Sequence, residues 1–313
     1  MITRRRIFQL LIAVAVGVAA ILVYRNVGHY TLEEIKGSLF AIHSSRLMSA
    51  FAFVIASYLC LTGFDWLAVR YAGRPLSYPR VALASFTSLS IGHNVGMAAL
   101  SSGAIRYRFY SRWGLSAQQV AKVIVFCGFS VGIGLLVLAG SALIISRGGE
   151  GFLGLTQMKS VILGFLCLVP IVAYLLISLF VTRPLILHSW RFEPPSPRLA
   201  MGQVIVGTLN FACVAGCIHQ LTLTFSDVSY LDVAKAYATA NVVSLFSHVP
   251  GGLGVLEATI LAILPMADSI GALIAFRILY FFIPLLIGVP TLLFCEMYFR
   301  RQELRAGSRH VAS

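Results

Sequence analysis

The chain has 313 residues, of which 58% are hydrophobic and 11% are charged, and its formal net charge is +13. This apolar composition excludes an ordinary soluble domain and a disordered chain, and it predicts a membrane protein with several spans. The basic residues cluster between the hydrophobic runs, which indicates membrane topology and anionic lipid rather than nucleic acid as a partner. The six cysteines lie in apolar segments without neighbouring histidines or carboxylates. Neither a disulfide framework nor a metal site is therefore predicted.

Six apolar segments are long enough to cross a bilayer, which takes about 20 residues. The first follows Arg4-Arg5-Arg6 and is interpreted as a retained helix, because it lacks the small-residue cleavage site of a signal peptide. Residues 25–45 predict a short amphipathic helix at the outer interface. The predicted spans are 7–24, 46–69, 118–145, 160–182, 200–222 and 270–298.

Two further apolar regions, 81–104 and 231–266, do not resemble simple spans. Arginines on both sides of 81–104 predict that it enters and leaves the membrane on the cytoplasmic face, with a turn near Gly92-His93-Asn94-Val95-Gly96. The same reasoning brings 231–266 in from the opposite face, with a turn at Pro250-Gly251-Gly252. Opposed broken segments of this kind are typical of a transporter's midplane site and of an inverted repeat. The alternative is that 81–104 is a plain span with the following arginines outside.

The predicted fold is thus all-α and membrane-embedded, with about six full transmembrane helices and two opposed re-entrant helical hairpins. The membrane domain comprises residues 1–299, with halves at about 1–182 and 200–299. They are joined by 183–199, where a proline-rich run predicts a stiff spacer. Residues 300–313 are predicted to be a basic cytoplasmic tail, and both termini are expected in the cytoplasm.

Charged residues inside membrane segments are candidates for function because they are costly there unless paired. Asp65, near the inner end of the second span, needs such a partner, and Arg70 or an arginine after the first hairpin is a candidate. Alternatively, Asp65 is an interfacial residue that fixes the depth of its helix.

A cluster after the first hairpin predicts a lipid-phosphate site. Arg106, Arg108 and Arg112 alternate with aromatic residues, and their forked guanidinium groups match a phosphodiester. Ser102, Gly103 and Tyr110 are supporting residues of this cluster. The alternative is a positively charged anchor with an aromatic belt.

The break at Pro250, Gly251, Gly252 and Gly254 frees backbone N–H groups at a helix start, where an anion is favoured. Glu257 follows in the first turn, as an intramembrane acid of the translocation path or as a local helix cap.

Arg277 lies inside the last span, with Tyr280 as a supporting residue. Glu257 and Asp65 are its candidate partners, and snorkelling to the outer surface is the alternative. The lone histidine His93 is interpreted as structural rather than as a proton relay.

Enzymatic motifs are missing. The glycines of the break lack the spacing of a dinucleotide loop and the Gly-Lys pair of a phosphate-binding loop. No Gly-x-Ser-x-Gly elbow and no histidine pair at i, i+4 is present. We therefore expect neither an enzyme nor a cofactor.

Three motifs in chain order resemble the lysylphosphatidylglycerol synthase transmembrane-region family, which includes the membrane half of the bacterial multiple peptide resistance factor. They are Gly-Ala-x-Arg-x-Arg-x-Tyr at 103–110, Pro-Gly-Gly-Leu-Gly-Val-Leu-Glu at 250–257 and Arg-x-x-Tyr-x-x-x-Pro at 277–284. The resistance factor moves aminoacylated phosphatidylglycerol to the outer leaflet. The resemblance therefore implies a flippase-like lipid translocase of the bacterial inner membrane, in which Asp65, Arg106 and Glu257 serve translocation.

The chain departs from that family in two respects. An acidic residue of the resistance factor is replaced by the neutral stretch 207–211, so a lysyl headgroup would lack one counter-charge. The synthetase domain is missing, so lipid aminoacylation is not expected. The expected partner is an anionic or aminoacylated phospholipid, and a homo-oligomer is compatible with the sequence. The alternatives are a non-transporting partner of a separate lipid- or glycan-modifying enzyme and an ion-coupled transporter of a small polar solute.

Overall fold

The computed structural model describes residues 32–95, 98–146, 154–181, 185–187, 190–247, 249–264 and 270–311. In chain order the elements are α1 (Leu32–Ala41), α2 (Ser44–Tyr71), α3 (Tyr78–Val95), α4 (Ala98–Arg112), α5 (Ala117–Ile145), α6 (Gln157–Phe180), β1 (Leu185–Leu187), β2 (Trp190–Phe192), α7 (Pro197–Thr222), α8 (Tyr230–Ser247), a 3₁₀ turn (Pro250–Gly252), α9 (Val255–Ile263), α10 (Ile270–Arg277), a π-helical turn (Ile278–Phe282) and α11 (Ile283–Val311).

Within these ranges five helices are long and apolar enough to cross a membrane. They are Ser44–Tyr71, Ala117–Ile145, Gln157–Phe180, Pro197–Thr222 and Gly271–Gln302. Five of the six predicted spans are thereby confirmed as helices of sufficient length and hydropathy. The remaining one, 7–24, lies outside the described residues.

Small residues allow these helices to approach closely. A Cβ atom added to Gly134 of α5 would overlap the carbonyl group of Gly207 in α7. Close backbone contact through small residues is a usual way for helices to pack in lipid, where burial of apolar surface provides no driving force. The neutral stretch 207–211 thus forms a helix crossing.

Region 81–104 is a helical pair that we call the first hairpin, formed by α3 and α4. The arms fold back on each other, since a Cβ on Gly92 would lie 2.8 Å from the Cβ of Ser102. α3 continues to Val95 and α4 begins at Ala98, so the predicted turn overlaps the end of α3, and its last residue, Gly96, lies outside the described residues. The arginines do not follow the hairpin but lie within its second arm, which continues to Arg112 and ends before Gly114 at φ 88°.

Region 231–266 forms the second hairpin, which comprises α8, the 3₁₀ turn and α9. All three glycines of the predicted break have positive φ values, with Gly251 at 62°, Gly252 at 61° and Gly254 at 73°. Only glycine adopts such angles without steric cost, which explains why the helix stops there. A Cβ on Gly252 would lie 3.1 Å from the Cβ of Ser244, so the turn folds back on α8.

The connection between the predicted halves begins with a pair of short strands, which precede the proline-rich run at 193–197. Leu185–Leu187 and Trp190–Phe192 form an antiparallel two-stranded hairpin, the one departure from helix in the described regular structure. The carbonyl of Glu193 accepts a hydrogen bond from Tyr71, and that of Pro195 accepts one from Ser178. These bonds tie the connection to two candidate spans.

The region predicted as the tail forms the last part of α11, which continues through residues 300–311 without a break. The stretch Arg300-Arg301-Gln302-Glu303-Leu304-Arg305 consists of good helix formers and contains no glycine or proline. Helix α11 therefore continues beyond residue 298, the predicted end of the last span.

Candidate functional site

The first ion pair joins Asp65 of α2 to Arg106 of α4. Nε and Nη2 of Arg106 donate to the two carboxylate oxygens of Asp65, each at 2.8 Å. Ser85 and Tyr110 donate to the same carboxylate at 2.8 Å, and Nη1 of Arg106 donates to the Ser102 hydroxyl at 2.9 Å. Asp65 is 0% exposed and Arg106 is 3% exposed. Such a buried pair is tolerated because each charge has several hydrogen-bond partners.

This geometry places Arg106 differently from the sequence-based expectation. Its guanidinium was assigned to a lipid phosphate, but it lies buried against Asp65 and fixes the first hairpin to α2. Gly103 serves the same packing, since a Cβ there would lie 2.9 Å from Cδ1 of Ile124 in α5.

The second ion pair joins Arg277, at the end of α10, to Glu257 in the first turn of α9. Nε and Nη2 of Arg277 both donate to the Glu257 carboxylate. Nη1 donates to the carbonyl of Gly251 at 2.7 Å, and Nη2 donates to that of Gly252 at 3.0 Å. The guanidinium also lies over the ring of Phe281, 4.6 Å from its centre. Arg277 thus holds both the second arm and the turn of the second hairpin.

The two hairpin tips touch. A Cβ added to Gly251 would lie 3.2 Å from the carbonyl oxygen of His93 and 3.8 Å from that of Asn94. The ring of His93 stacks on Tyr280, with 6.2 Å between ring centres. The turn that follows Pro250 therefore meets the end of α3 directly, and only a glycine fits at the contact.

A π-helical turn at Ile278–Phe282 lies beside this contact. Its carbonyls accept bonds from outside the helix: Asn94 donates to Phe281 at 3.2 Å and Tyr58 donates to Tyr280 at 3.2 Å. A π turn leaves backbone groups of an α-helix in altered register, and such turns are frequent at functional sites. The tip of the first hairpin is thereby bonded to the same helix that holds the second hairpin.

A chain of polar side chains continues from the π turn into the bundle. The hydroxyl of Ser57 lies 3.1 Å from that of Tyr280 and donates to the side-chain oxygen of Asn210 at 2.8 Å. Asn210 lies in the neutral stretch 207–211 that was noted in the sequence. A neutral amide at this place supplies no counter-charge.

Three buried polar atoms around the hairpins have no hydrogen-bond partner within the described part of the chain. They are Oγ1 of Thr87, Nδ1 of His93 and Oγ of Ser244. Buried polar groups normally have partners, often ordered water. The hairpins therefore contain polar atoms whose hydrogen-bonding capacity is unused among the described residues. Among the described residues no group of three or more His, Cys, Asp or Glu is arranged to hold a metal ion.

A third cluster lies at the other end of α4. Arg108 and Arg112 both pair with Glu296 of α11, and Arg112 donates to its two oxygens at 2.9 and 3.2 Å. The Glu296 side chain is 7% exposed, whereas those of Arg108 and Arg112 are 38% and 26% exposed. Unlike Arg106, these arginines therefore reach the surface, at the end of the bundle that also carries Arg80.

An apolar groove opens beside the π turn, between α2 and the start of α11. Its volume is about 220 Å³. Phe51, Ile55 and Leu59 of α2 and Ile287 of α11 line it and are exposed. Both helices belong to candidate membrane spans, so the groove opens towards the lipid.

Sequence reasoning identified the four charges that form the two buried pairs but missed several other polar residues of the site, including the acid that pairs with Arg108 and Arg112. Glu296 is the clearest case, because it stands in an apolar run and satisfies the same criterion that singled out Asp65. Asn94, Tyr58 and Ser57 gave no such signal, since single uncharged polar residues are common in membrane helices.

No protein-family model matches the chain. The uncharacterized protein slr0712 of Synechocystis sp. is 33% identical over 285 residues, which cover 90% of this chain and 88% of that protein. The inner membrane protein YbhN of Escherichia coli is 30% identical over 284 residues, which cover 88% of this chain and 87% of that protein. The similarity therefore extends over nearly the whole chain.

Proposed function

We propose that this membrane protein, which belongs to the family of the inner membrane protein YbhN, is a lipid translocase that moves a phospholipid between leaflets without covalent chemistry. The observation that carries the proposal is the contact between two broken helical hairpins, each fixed by a buried ion pair, within a bundle of candidate membrane spans. In this proposal the hairpins enter the membrane from opposite faces.

A headgroup crosses a bilayer only along a path that replaces its hydration. Irregular backbone at membrane depth persists only where it is buried in protein or lines a wet cavity. The carbonyls of Gly251 and His93, together with the unpaired atoms of Ser244 and His93, supply polar groups at the hairpin contact. These groups support a polar passage between the tips.

The two buried pairs act as fixed supports of that passage rather than as ligands of the lipid. Asp65 and Arg106 hold the first hairpin, and Glu257 and Arg277 hold the second. Because both pairs are internally neutral, they add no net charge that would trap a headgroup at mid-depth. The motifs at 103–110, 250–257 and 277–284 resemble a family of lipid translocases, which supports a lipid as cargo.

The chemistry of the site favours an anionic phospholipid over a lysyl-modified one. Asn210 is neutral and already accepts a hydrogen bond from Ser57, so it offers no counter-charge to an ammonium group. The apolar groove between α2 and α11 provides a lateral opening in which one acyl chain would remain in the bilayer while the headgroup passes.

The test is transbilayer exchange of a fluorescent phosphatidylglycerol in proteoliposomes, measured by the fraction that an external quencher reaches. The wild-type chain should accelerate exchange over protein-free liposomes. Gly251→Ala should lose most of that acceleration, because its Cβ would press on the carbonyl of His93.

Gly73→Ala is the matched control. Gly73 also has a positive φ, 75°, but a Cβ there meets nothing within 4 Å. Both variants therefore carry similar backbone strain of about 1 kcal/mol, and only one disturbs the hairpin contact. No acceleration by the wild-type chain would refute the translocase and favour a non-transporting partner of a lipid-modifying enzyme. Equal loss of the acceleration in both variants would show that the hairpin contact is not part of the translocation path.

A further inference from the structure

A pocket of about 630 Å³ opens at the basic end of the bundle. Its walls come from the start of α3, the end of α4 and the middle of α11. The lining residues are Arg80, Leu83, Arg112, Trp113, Phe294, Cys295, Tyr298, Phe299 and Gln302. The volume lies within the range of small-molecule sites, about 300–1,000 Å³. Neither buried ion pair of the hairpins contributes to it.

The charges at this pocket do not cancel. Arg108 and Arg112 both pair with the carboxylate of Glu296, and Arg80 adds a third positive charge. Further along α11 the sequence adds Arg300, Arg301 and Arg305 against Glu303. The net charge around the pocket is therefore positive with or without these neighbours, and the pocket attracts an anion.

The polar groups are suited to a phosphate. Glu296 accepts two hydrogen bonds from Arg112 and thereby fixes the plane of its guanidinium, which also lies over the ring of Phe299 at 4.9 Å. A fixed guanidinium loses little entropy when it binds, and its forked donors match phosphate oxygens. Arg80, which is exposed and has no side-chain partner within the described residues, and the amide of Gln302 face the same space.

The remaining walls indicate a lipid rather than a soluble anion. Most of the lining is apolar or aromatic, and Phe294 and Tyr298 are exposed on a helix that belongs to a candidate span. Trp and Tyr rings are typical of the zone where lipid headgroups lie. A free phosphate would leave these walls in water, whereas the glycerol and upper acyl carbons of a lipid would cover them.

We infer that this pocket binds the phosphodiester of an anionic phospholipid, with Arg80, Arg112 and Gln302 as its polar ligands and Trp113 and Tyr298 against the glycerol region. This inference rests on the proposed function only for the later movement of the lipid. Binding itself is measured without transport.

The experiment is an equilibrium titration of the purified full chain in detergent with fluorescent phosphatidylglycerol. Arg80→Gln is the cleanest variant, because no contact among the described residues depends on the Arg80 side chain. Loss of one charge-assisted hydrogen bond should weaken binding about tenfold. Arg70→Gln is the matched control, since Arg70 is also exposed at this end but stacks on Trp66 outside the pocket. It should bind like the wild type.

Two competitors separate the sources of the phosphate. Diacylglycerol lacks the phosphate and should not displace the probe, and inorganic phosphate should displace it only weakly. Equal binding by Arg80→Gln and Arg70→Gln would overturn the inference, and so would displacement by inorganic phosphate as strong as by unlabelled phosphatidylglycerol. If binding is specific while liposome exchange fails, the translocase is refuted and this site stands. If exchange succeeds while the two variants bind equally, only this site is refuted.

Discussion

The two hairpins are fixed by ion pairs of opposite arrangement. In the first hairpin the cation, Arg106, lies on the second arm and the acid, Asp65, lies on a neighbouring span. In the second hairpin the acid, Glu257, lies on the second arm and the cation, Arg277, lies on the neighbouring span. The pairs are similar in burial, with all four residues at most 9% exposed. The two pairs therefore differ in the further hydrogen bonds that their charged groups form.

That difference concerns the turns. Among the described residues Asp65 accepts from the side chains of Arg106, Ser85 and Tyr110, so its pair fixes an arm and leaves the tip alone. Arg277 also donates to the carbonyls of two turn glycines, so its pair fixes the shape of the turn itself. The second hairpin should consequently lose its turn when the pair is broken, whereas the first should keep it.

The largest effect is expected for Arg277→Met. This change leaves Glu257 buried without its partner and removes the donors to the Gly251 and Gly252 carbonyls. Removing one member of a buried pair costs about 3–5 kcal/mol. The unfolding temperature in detergent should fall accordingly, and amide hydrogen exchange across 247–257 should accelerate.

Glu257→Gln is the comparison for that prediction. The glutamine oxygen still accepts from Arg277, and the bonds to the turn carbonyls remain. Exchange across 247–257 should therefore stay slower than in Arg277→Met. If the two variants release the turn to the same extent, the bonds to the carbonyls do not hold it.

A smaller effect is expected for Asp65→Asn. The amide retains one oxygen for Ser85 or Tyr110 but leaves Arg106 without a counter-charge, at a cost of about 3 kcal/mol. Hydrogen exchange should accelerate in α4 and not at the turn of the second hairpin. Equal acceleration in both hairpins would mean that they form one cooperative unit, and the comparison would fail.

Much of the fold could be predicted because lipid restricts the options. Backbone groups in a bilayer need internal partners, so apolar runs of sufficient length become helices. This reasoning located five of the spans within a few residues. It also identified both broken regions, the first from the arginines on either side of it and the second from a proline and three glycines in an apolar run.

The site could be predicted only in part, because pairing depends on residues far apart in the sequence. Arg106 beside aromatic residues resembles a phosphate ligand, and its burial follows from Asp65, 41 positions away, and from the continuation of α4. The π turn gave no sequence signal, because its altered register is stabilised by Asn94 and Tyr58 from other helices. The short strand pair after α6 was missed because Pro-rich flanks dominate that stretch.

The double variant Glu257→Arg with Arg277→Glu separates the effect of the turn hydrogen bonds from that of the ion pair. The ion pair is restored, but a glutamate cannot donate to the carbonyls of Gly251 and Gly252. We expect a remaining loss of about 3 kcal/mol, because two hydrogen bonds from a charged donor are lost and each contributes about 1.5–3 kcal/mol. Lipid exchange in proteoliposomes should remain well below the wild-type rate. Full recovery of stability and rate would show that only the charges matter.

The smallest change in stability is expected for Asn94→Leu, which removes a donor while keeping the shape of the side chain. Asn94 joins the tip of the first hairpin to the carbonyl of Phe281 in the π turn, and this bond contributes about 1 kcal/mol. Because the same helix carries Arg277, the bond links the two hairpins. The rate of lipid exchange in Asn94→Leu should therefore fall severalfold, although the unfolding temperature changes little. Tyr110→Phe is the control, because it loses only a hydrogen bond to the first ion pair, and its rate of lipid exchange should be nearly unchanged. If the rates of both variants follow stability alone, the link through the π turn has no part in transport, and the hairpins work as separate supports.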